Sequence, residues 1–356
     1  MSARDLLIKL SNAFGPAGFE DEVREIIREY ISGLVDEVFE DTSGNLITLK
    51  KGKSNKRVML DAHMDEIGFI VSHLNGPFIR FQMLGGIDPR LLPGQRVVIK
   101  NRKGEKIKGV IGTIPPHVQT SEEMKKVFEV TDLFIDVGAV SEEELKGKGI
   151  SVGDPGVFYG NAEVVSDDVI VGKSFDDRAG CAVLIKVLER LKNVHLPYDL
   201  FVTFTTGEEL GLRGAKTAAY SVDPDFSLSV EGTIAVDNPN IPPHKQPSHI
   251  GKGPVITIID RSIVVNPKVV RFFESVAEKN GIVFQYKTPI YGSTNAGVIH
   301  LERGGVLSGV VAVPCRYIHS PTSILRLSDF EKTVELVYNI LVELPSTDLL
   351  DRKLRL

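Results

Sequence analysis

Cysteine and tryptophan are almost absent from this chain, which has two cysteines and no tryptophan among its 356 residues. Two distant cysteines make neither a disulfide framework nor a thiolate metal cluster, because both require more cysteines at short spacing. Cys181 lies in the apolar run "AGCAVLIKVL", and Cys315 follows an apolar run in "AVPCRYIHS". We expect both side chains to pack in the core, where free cysteine is most often found.

Long runs of one kind of residue are missing too. The formal net charge is -5 and no block of Lys and Arg is present, which argues against a phosphate-binding surface for nucleic acid. No apolar run approaches the roughly 18 residues of a membrane span, and the first residues, "MSARDLLIKLSNAFG", mix charge into every turn. We therefore expect a cytoplasmic protein that binds neither nucleic acid nor a membrane.

The chain is long enough for two domains, and the pattern of its apolar residues changes twice along its length. The composition, 42% hydrophobic and 25% charged, is typical of a globular protein. Between residues 67 and 159, short apolar runs such as "FIRFQML" and "KIKGVIGTI" are separated by Gly and Pro, which predicts a small β-rich, barrel-like domain. The segments 1–66 and 160–356 alternate strand and helix patterns, which predicts one α/β domain with helices on both faces of its sheet. The β-rich segment is thus expected to be an insertion.

Polar side chains of the α/β part cluster where strand-like runs end. Open α/β sheets bind ligands beyond the carboxyl ends of their strands, so these groups are candidates for a functional site. The candidates are His63 and Asp65 in "VMLDAHMDE", Asp176 and Asp177 in "GKSFDDRAG", Glu208 and Glu209 in "TTGEELG", Glu231 in "LSVEGT", and His319 in "CRYIHSPT". Each has an ordinary structural explanation when taken alone, such as a helix cap for Asp176 or a solvated turn for the two glutamates.

Taken together, these groups favour a two-metal hydrolase. Imidazole and carboxylate ligands without thiolate suit Zn²⁺ or Co²⁺. One carboxylate can bridge two ions, and a carboxylate that is not a ligand can activate the attacking water. The adjacent Glu208 and Glu209 would then have different roles, one as a ligand and one as a base. A cation also removes the repulsion between neighbouring carboxylates.

The sequence resembles the tetrahedral (TET) aminopeptidases, a family of cytosolic two-metal peptidases, over nearly its whole length. The matching segments occur in the family's order and are "DAHMDEIGF", "GGIDPR", "PPH", "FDDRAG", "EELGLRGA", "HKQPSHIGKG" and "RYIHSPT". The resemblance implies a catalytic α/β domain, a β-rich dimerisation insert, and dimers that assemble into a hollow tetrahedral dodecamer. It also implies a cis peptide bond between Asp176 and Asp177.

The same resemblance implies roles for individual residues. The metal ligands would be His63, Asp176, Glu209, Glu231 and His319. Asp176 would bridge the two ions, Glu208 would be the general base, and Asp65 would orient His63. The expected reaction is the removal of N-terminal residues from short peptides.

Two departures from the family pattern bear on the substrate. The family has Asp where this chain has Glu231, and Asp where "YGSTNAG" has Asn295. Asn295 removes a charge that would help to hold a substrate ammonium, and His249 in "QPSHIGKG" is a second candidate for substrate contact. The alternatives are a two-metal deacylase or carboxypeptidase on the same fold, and a non-catalytic scaffold. The preferred N-terminal residue does not follow from the sequence.

Overall fold

A mixed sheet of eleven strands organises the larger part of the chain in the computed structural model, which describes residues 2–351. Along the sheet the strands follow the order β1-β2-β12-β3-β13-β16-β17-β11-β10, and β14 and β15 extend it from β16. Their bounds are β1 Glu37–Glu40, β2 Leu46–Lys50, β3 Arg57–His63, β10 Glu163–Ser166, β11 Val169–Gly172, β12 Asp199–Thr205, β13 Phe226–Ala235, β14 Val255–Thr257, β15 Gln285–Lys287, β16 Leu307–Arg316 and β17 Ser323–Arg326. The central strands β12, β3, β13 and β16 are parallel, so their carboxyl ends meet at one edge of the sheet.

Helices cover both faces of this sheet. Their bounds are α1 Ala3–Asn12, α2 Asp21–Ile31, α3 Glu142–Gly147, α4 Phe175–Leu191, α5 Arg213–Val222, α6 Pro267–Lys279, α7 Ala296–Ile299 and α8 Leu327–Glu343. Strand β3 shows why both faces are covered: Val58 and Leu60 pack into the core with α4, while Met59 points to the opposite side and packs with α5. Successive side chains of a strand alternate between faces, so a strand that is apolar on both faces needs a cover on each. The predicted α/β class is confirmed.

The remaining strands close into a separate barrel in the order β4-β5-β8-β7-β6-β9. They are β4 Gly68–Asn75, β5 Phe78–Leu84, β6 Arg96–Lys100, β7 Lys106–Gly112, β8 Phe134–Asp136 and β9 Pro155–Phe158. The barrel has an apolar core of its own that includes Phe69, Phe81 and Ile135. All of its strands lie within the predicted insertion of 67–159. The exact division into domains 1–66 with 160–356 and 67–159 stays a prediction.

Two smaller expectations are also met by the structure. Cys181 and Cys315 are both fully buried, as their apolar surroundings predict. The peptide bond between Asp176 and Asp177 is cis. No helix within residues 2–351 has the length and apolar character that crossing a membrane requires.

Candidate metal centre

The structure brings the candidate residues of five distant segments together at the carboxyl edge of the sheet. His63 is the last residue of β3, Glu231 lies in the second half of β13, and Asp176 is at the start of α4. Glu208 and Glu209 follow β12, and His319 lies in the connection between β16 and β17. Because β12, β3, β13 and β16 are parallel neighbours, their ends place these side chains side by side.

The cluster consists of two groups of three residues that share Asp176. The first group is His63, Asp176 and Glu231, and the second is Asp176, Glu209 and His319. His63 Nε2 lies 3.2 Å from Asp176 Oδ1 and 3.7 Å from Glu231 Oε2. His319 Nε2 lies 3.4 Å from Asp176 Oδ2 and 3.5 Å from Glu209 Oε1. The two oxygens of one carboxylate thus face two different imidazoles.

Backbone carbonyls fix the orientation of both imidazoles. His63 Nδ1 lies 3.2 Å from the carbonyl oxygen of Asp65, and His319 Nδ1 lies 2.8 Å from that of Gly86. An acceptor at Nδ1 keeps the proton on that nitrogen and leaves Nε2 free as a ligand. In both residues Nε2 is the nitrogen that faces the acid cluster.

Asp65 holds two parts of the centre in place at once. Its carboxylate accepts hydrogen bonds from the backbone N–H groups of Glu208 and Glu209, each at 3.0 Å. Its Oδ1 also lies 3.4 Å from Nδ1 of His63. Asp65 is fully buried, and it contacts both the loop and the imidazole. The orienting role of Asp65 stays a prediction.

The charges of the cluster favour a bound cation. Burial raises the pKa of Glu208 to about 7 and that of Glu209 to about 8, and the negative charge of Asp176 adds to both increases. Burial opposes a charged His319, but the hydrogen bond to Asp176 and the charge of Glu209 outweigh it and raise its pKa to about 10. Several carboxylates therefore lie close together in a small buried volume, where their ionised forms repel one another. A divalent cation bound there would stabilise the ionised carboxylates and displace the bound protons.

The donor set fits divalent metal ions of the Zn²⁺ or Co²⁺ type. Each group of three offers one imidazole nitrogen and two carboxylates, and thiolate is absent from both. In each group the ligand atoms lie within 4.8 Å of one another, so one ion placed between them is near all three. Glu208 belongs to neither group among the described residues, although its Oε2 is 3.9 Å from His63 Nε2.

The cluster opens into a cavity of about 560 Å³. Asp176, Glu208, Glu209, Glu231 and His319 all line it, so the acids and the imidazole of His319 are accessible to a ligand. This volume is within the range of small-molecule sites in enzymes.

The two residues considered for substrate contact do not line this cavity in the part of the chain that the structure describes. His249 contacts Gln246 through its imidazole, at 2.7 Å, and Gln285 through its backbone. Asn295 is fully buried, and its amide donates to Asp61 at 2.8 Å and to Thr205 at 2.9 Å. Substrate contact by either side chain stays a prediction that this placement does not support.

Two basic residues of the cavity have no counterpart among the sequence-based candidates. Arg261 and Lys287 line the same cavity as the acids. Lys287 lies in "FQYKTPIY", a segment with no periodic pattern and no neighbouring His or acid. Its position could have been noticed only as an isolated lysine in a short β-like run, which is a weak signal.

Two solved structures are similar to this chain in sequence and in fold over almost its whole length. A TET aminopeptidase structure from Thaumarchaeota archaeon SCGC AB-539-E09 superposes with a TM-score of 0.95 at 39% identity and covers 98% of both chains. The Pyrococcus horikoshii TET1 peptidase, described as assembling into a tetrahedron or a large octahedral shell, gives a TM-score of 0.86 at 33% identity and covers 96% of this chain and 99% of its own.

Two curated relatives show the same coverage. A lysyl aminopeptidase of Pyrococcus furiosus is 31% identical over 348 residues, which are 97% of this chain and 98% of the relative. A glutamyl aminopeptidase of Lactococcus lactis is 30% identical over 341 residues and covers 93% of each chain. The family model for M42 glutamyl aminopeptidase matches residues 44–336. This match spans the barrel and the cluster of His and acid residues, and the chain therefore belongs to the M42 aminopeptidase family.

Proposed function

We propose that this chain is a two-metal aminopeptidase that removes N-terminal residues from short peptides. The observation that carries the proposal is the two groups, each of one His and two carboxylates, that share Asp176. Their carboxylates and His319 line one cavity with Glu208. Membership of the M42 family supports the aminopeptidase activity. The number of ions and the role of Glu208 are inferred from the arrangement of the side chains.

His63, Asp176 and Glu231 would hold one ion, and Asp176, Glu209 and His319 the other. Two such ions, when bound, polarise a carbonyl and lower the pKa of a water molecule. The protein contributes the fixed orientation of the ligands, through the carbonyls behind the imidazoles and through Asp65 behind the loop of Glu208 and Glu209. Such supporting contacts commonly change metal affinity or activity by about 10–100-fold when they are removed.

Glu208 is the group we assign as general base. It lines the cavity beside the cluster but belongs to neither metal-binding group, so its carboxylate is available for proton transfer. Glu208 would take a proton from the attacking water and deliver it to the nitrogen of the leaving peptide. Burial holds its pKa at about 7, well above the ordinary value of a glutamate. Because Glu209 would bind a metal ion, Glu208 would be the one of the two adjacent glutamates that is available as the base.

Recognition of a free N-terminus follows from the excess of acid in the cavity. An α-ammonium needs acceptors, and Glu208, Glu209 and Glu231 all line the cavity. The neutral Asn295 does not remove these acceptors. We therefore expect the ammonium group to be required even though this chain lacks one aspartate of the family pattern.

Self-association is the last part of the proposal. A similar TET1 peptidase of Pyrococcus horikoshii is described as a tetrahedral or octahedral assembly. By analogy the barrel of β4 to β9 would pair two subunits, and dimers would build a tetrahedral dodecamer. A hollow assembly of this kind would admit short or unfolded peptides and exclude folded proteins.

The activity is tested with matched peptides that carry a free or an acetylated N-terminus. Protein reconstituted with Zn²⁺ or Co²⁺ is incubated with each peptide, and the products are identified by mass. We expect residues to leave one at a time from the free N-terminus. Acetylation should lower kcat/KM at least tenfold, which equals about 1.4 kcal/mol of transition-state binding. Equal cleavage of acetylated peptides, or release from the carboxyl end, would favour the deacylase or carboxypeptidase alternative.

A further inference from the structure

Glu66 is the centre of a buried charge network that supplies no ligand to the proposed metal centre. The residue is 2% exposed and lies in the connection from β3 to β4, directly after Asp65. Its carboxylate lies 2.6 Å from Nζ of Lys173 and 3.3 Å from Nη2 of Arg178. Both cations are buried as well. Neither Glu66 nor the two cations line the cavity, so the network is internal to the chain.

Lys173 differs in its contacts from a second buried lysine near the centre, Lys287. Lys287 is 4% exposed and lines the cavity, and its ammonium makes no hydrogen bond or ion pair with any residue between 2 and 351. The ammonium of Lys173 donates to both carboxylate oxygens of Glu66, at 2.7 and 2.6 Å, and to the carbonyl of Ala13 at 3.1 Å. Burial lowers the pKa of Lys173 to about 8, and the charge of Glu66 acts against this decrease. A buried ammonium with such partners is held in one place.

Arg178 extends the network to the connection between α1 and α2. Its guanidinium donates to the backbone carbonyls of Leu10, Gly15 and Met64, at 2.8, 3.1 and 2.6 Å. Met64 directly follows His63, the last residue of β3. The network therefore joins three parts of the chain, which are the α1–α2 connection, the end of β3 and the start of α4.

The hydroxyl of Ser174 joins this network to the turn that carries Asp176. Ser174 Oγ donates to Glu66 Oε2 at 2.6 Å and accepts from Lys173 Nζ at 3.1 Å. Ser174 has a φ of +58°, a left-handed conformation that is strained for a residue with a side chain and persists where contacts enforce it. At this residue the chain turns from β11 into α4, and its carbonyl accepts the backbone N–H of Arg178. The bond to Glu66 therefore holds the chain just before Asp176.

Asp176 depends on this support because its carboxylate has no anchor outside the centre. Its Oδ1 faces His63 Nε2 and its Oδ2 faces His319 Nε2, and no other residue between 2 and 351 contacts either oxygen by a hydrogen bond or an ion pair. The backbone on both sides must therefore set the direction of the carboxylate. On the following side, Asp177 accepts the backbone N–H of His63 at 3.1 Å. On the preceding side, Ser174 has this function.

We propose that Glu66 is a positioning residue of the metal centre, which acts through the Ser174 hydroxyl on Asp176, the ligand that both groups of three residues share. The inference rests on the proposed two-metal function, because it concerns the residue that both ions would bind. Loss of the contact between Glu66 and Ser174 would free the turn before Asp176, so its carboxylate would be held less well toward both imidazoles. A defect in a shared ligand weakens the binding of both ions, whereas a defect in one group alone weakens the binding of one.

The test compares Co²⁺ binding by the metal-free protein and by its variants. Ser174→Ala removes the hydroxyl and leaves Glu66 paired with Lys173. Co²⁺ is titrated at free concentrations set by a chelator, and the bound ions are counted by mass spectrometry. We expect two ions per wild-type chain, and Kd values about tenfold or more higher for both ions in Ser174→Ala, as is common when a contact behind a ligand is removed. The visible absorption of bound Co²⁺ reports the ligand geometry and should change in the same variant.

A double-mutant cycle tests whether Glu66 acts through Ser174. Glu66→Gln should raise both Kd values at least as much as Ser174→Ala does. The combined variant Glu66→Gln/Ser174→Ala should bind Co²⁺ no more weakly than Glu66→Gln alone, because both changes remove the same contact. Ser174→Gly also lacks the hydroxyl but adopts the left-handed conformation without strain. It should weaken both ions as Ser174→Ala does, which separates the hydrogen bond from the strain.

A matched control separates positioning from folding. Ser227→Ala removes a hydrogen bond of the same length, 2.6 Å to Ser308, from a buried serine near the start of β13. It should leave both Kd values unchanged even where it lowers the Tm. Thermal unfolding of each metal-free variant reports its stability separately from its metal binding. If Glu66→Gln does not fold, Ser174→Ala and Ser174→Gly still test the contact, since Glu66 is the acceptor of that hydroxyl.

Four results would overturn the proposal. A lower Tm with unchanged Kd values in Ser174→Ala would mean that the network supports only the fold. Weaker binding of one ion alone would show that the contact does not act through Asp176. Additive losses in the combined variant would show that Glu66 and Ser174 act separately. Wild-type protein that binds fewer than two ions would contradict the proposed two-metal function, and the inference with it, before any variant is compared.

Discussion

Glu208 and Glu209 are neighbours in sequence but contact different parts of the centre. Glu209 Oε1 lies 3.5 Å from His319 Nε2, whereas Glu208 Oε2 lies 3.9 Å from His63 Nε2. The turn that separates them from β12 contains Gly207 with a φ of +61°, a left-handed conformation that glycine adopts without strain. Asp65 accepts from both backbone N–H groups, which fixes the pair as a unit. The two glutamates are thus held toward different imidazoles by local structure.

Replacement of Glu208 by Gln distinguishes a role as general base from a role as metal ligand. The amide has nearly the same size but cannot accept a proton, so Glu208→Gln should lose about 100-fold or more in kcat. Because Glu208 lies outside both metal-binding groups, the variant should retain close to two ions per chain. Metal content by mass spectrometry and turnover are measured on the same sample. Glu163→Gln, on the exposed strand β10, serves as the control. Loss of metal from Glu208→Gln would identify Glu208 as a ligand instead.

The sequence predicts the residues of the cluster better than those of the cavity around it. His63, Glu208, Glu209 and Glu231 lie in or just after strands, and parallel strands bring such positions together by a general rule. Lys287 follows no such rule, because its significance comes from being buried without a partner. That property exists only when the chain is folded.

Asn295 illustrates the same limit. The sequence suggests that its side chain lies near a substrate ammonium, but in the structure the amide donates to Asp61, 234 residues away along the chain. Its backbone N–H, rather than its side chain, is directed at the centre and donates to Glu231 Oε1 at 3.3 Å. The direction of a single side chain depends on long-range packing that no local pattern encodes.

At the scale of elements, Glu20 connects the start of α2 to the turn that carries Glu208. Its Oε1 accepts from the backbone N–H of Gly18 at 2.8 Å and of Gly207 at 3.2 Å. Burial, together with the negative charge of Asp65, raises its pKa to about 7 although both hydrogen bonds act in the other direction. A carboxyl group thus supports the turn that carries Glu208 from a position where its ionised form is unfavourable.

This arrangement predicts a specific pH dependence of stability. The pKa of Glu20 is about 7 in the folded chain and 4.5 for a free side chain. Between these two pH values Glu20 is therefore protonated to a greater extent in the folded state than in the unfolded state. Stability contributed by this group is therefore lost as the pH rises from 4.5 through about 7. Glu20→Gln stays neutral, so its free energy of unfolding relative to wild type should increase by about 1–3 kcal/mol between pH 5 and pH 8.

Chemical denaturation at several pH values measures this difference. Glu25→Gln, an exposed position on the same helix α2, is the control for the effect of the substitution itself. A pH-independent difference for Glu20→Gln would show that Glu20 is ionised in the folded chain with an ordinary pKa.

Long elements are predicted from the sequence and short ones are not. The apolar periodicity of "PKVVRFFESVAEK" and "LSDFEKTVELVYNILVE" predicts α6 and α8, and both helices are present. The strands β14 and β15 have three residues each, too few to show a period. They exist because β16 offers an edge to β14, and β14 in turn pairs with β15. Lys287 lies on one of these short strands, which is a further reason why the sequence does not reveal it.

At the scale of the whole molecule, the barrel carries apolar residues that its own core does not cover. In the segment 113–133 between β7 and β8, Val118 is 70% exposed and Val127 is 57% exposed. Ile114 and Met124 in the same segment are more than half exposed as well. Clustered exposed apolar side chains on a small domain commonly mark a protein contact. Self-association through the barrel would cover them.

Self-association through this surface can be tested by measuring the mass of the species in solution. Sedimentation should show a species far larger than the 39.1 kDa chain, up to twelve subunits if the tetrahedral arrangement of the similar TET peptidases applies. Val118→Asp combined with Val127→Asp places charge in the contact and should shift the population to smaller species, because a buried unpaired charge is unfavourable. Lys103→Asp, on the exposed turn between β6 and β7, changes charge outside this segment and should not. A fully active metal-loaded monomer of the wild type would contradict the proposed assembly, since no contact between subunits would then be needed for function.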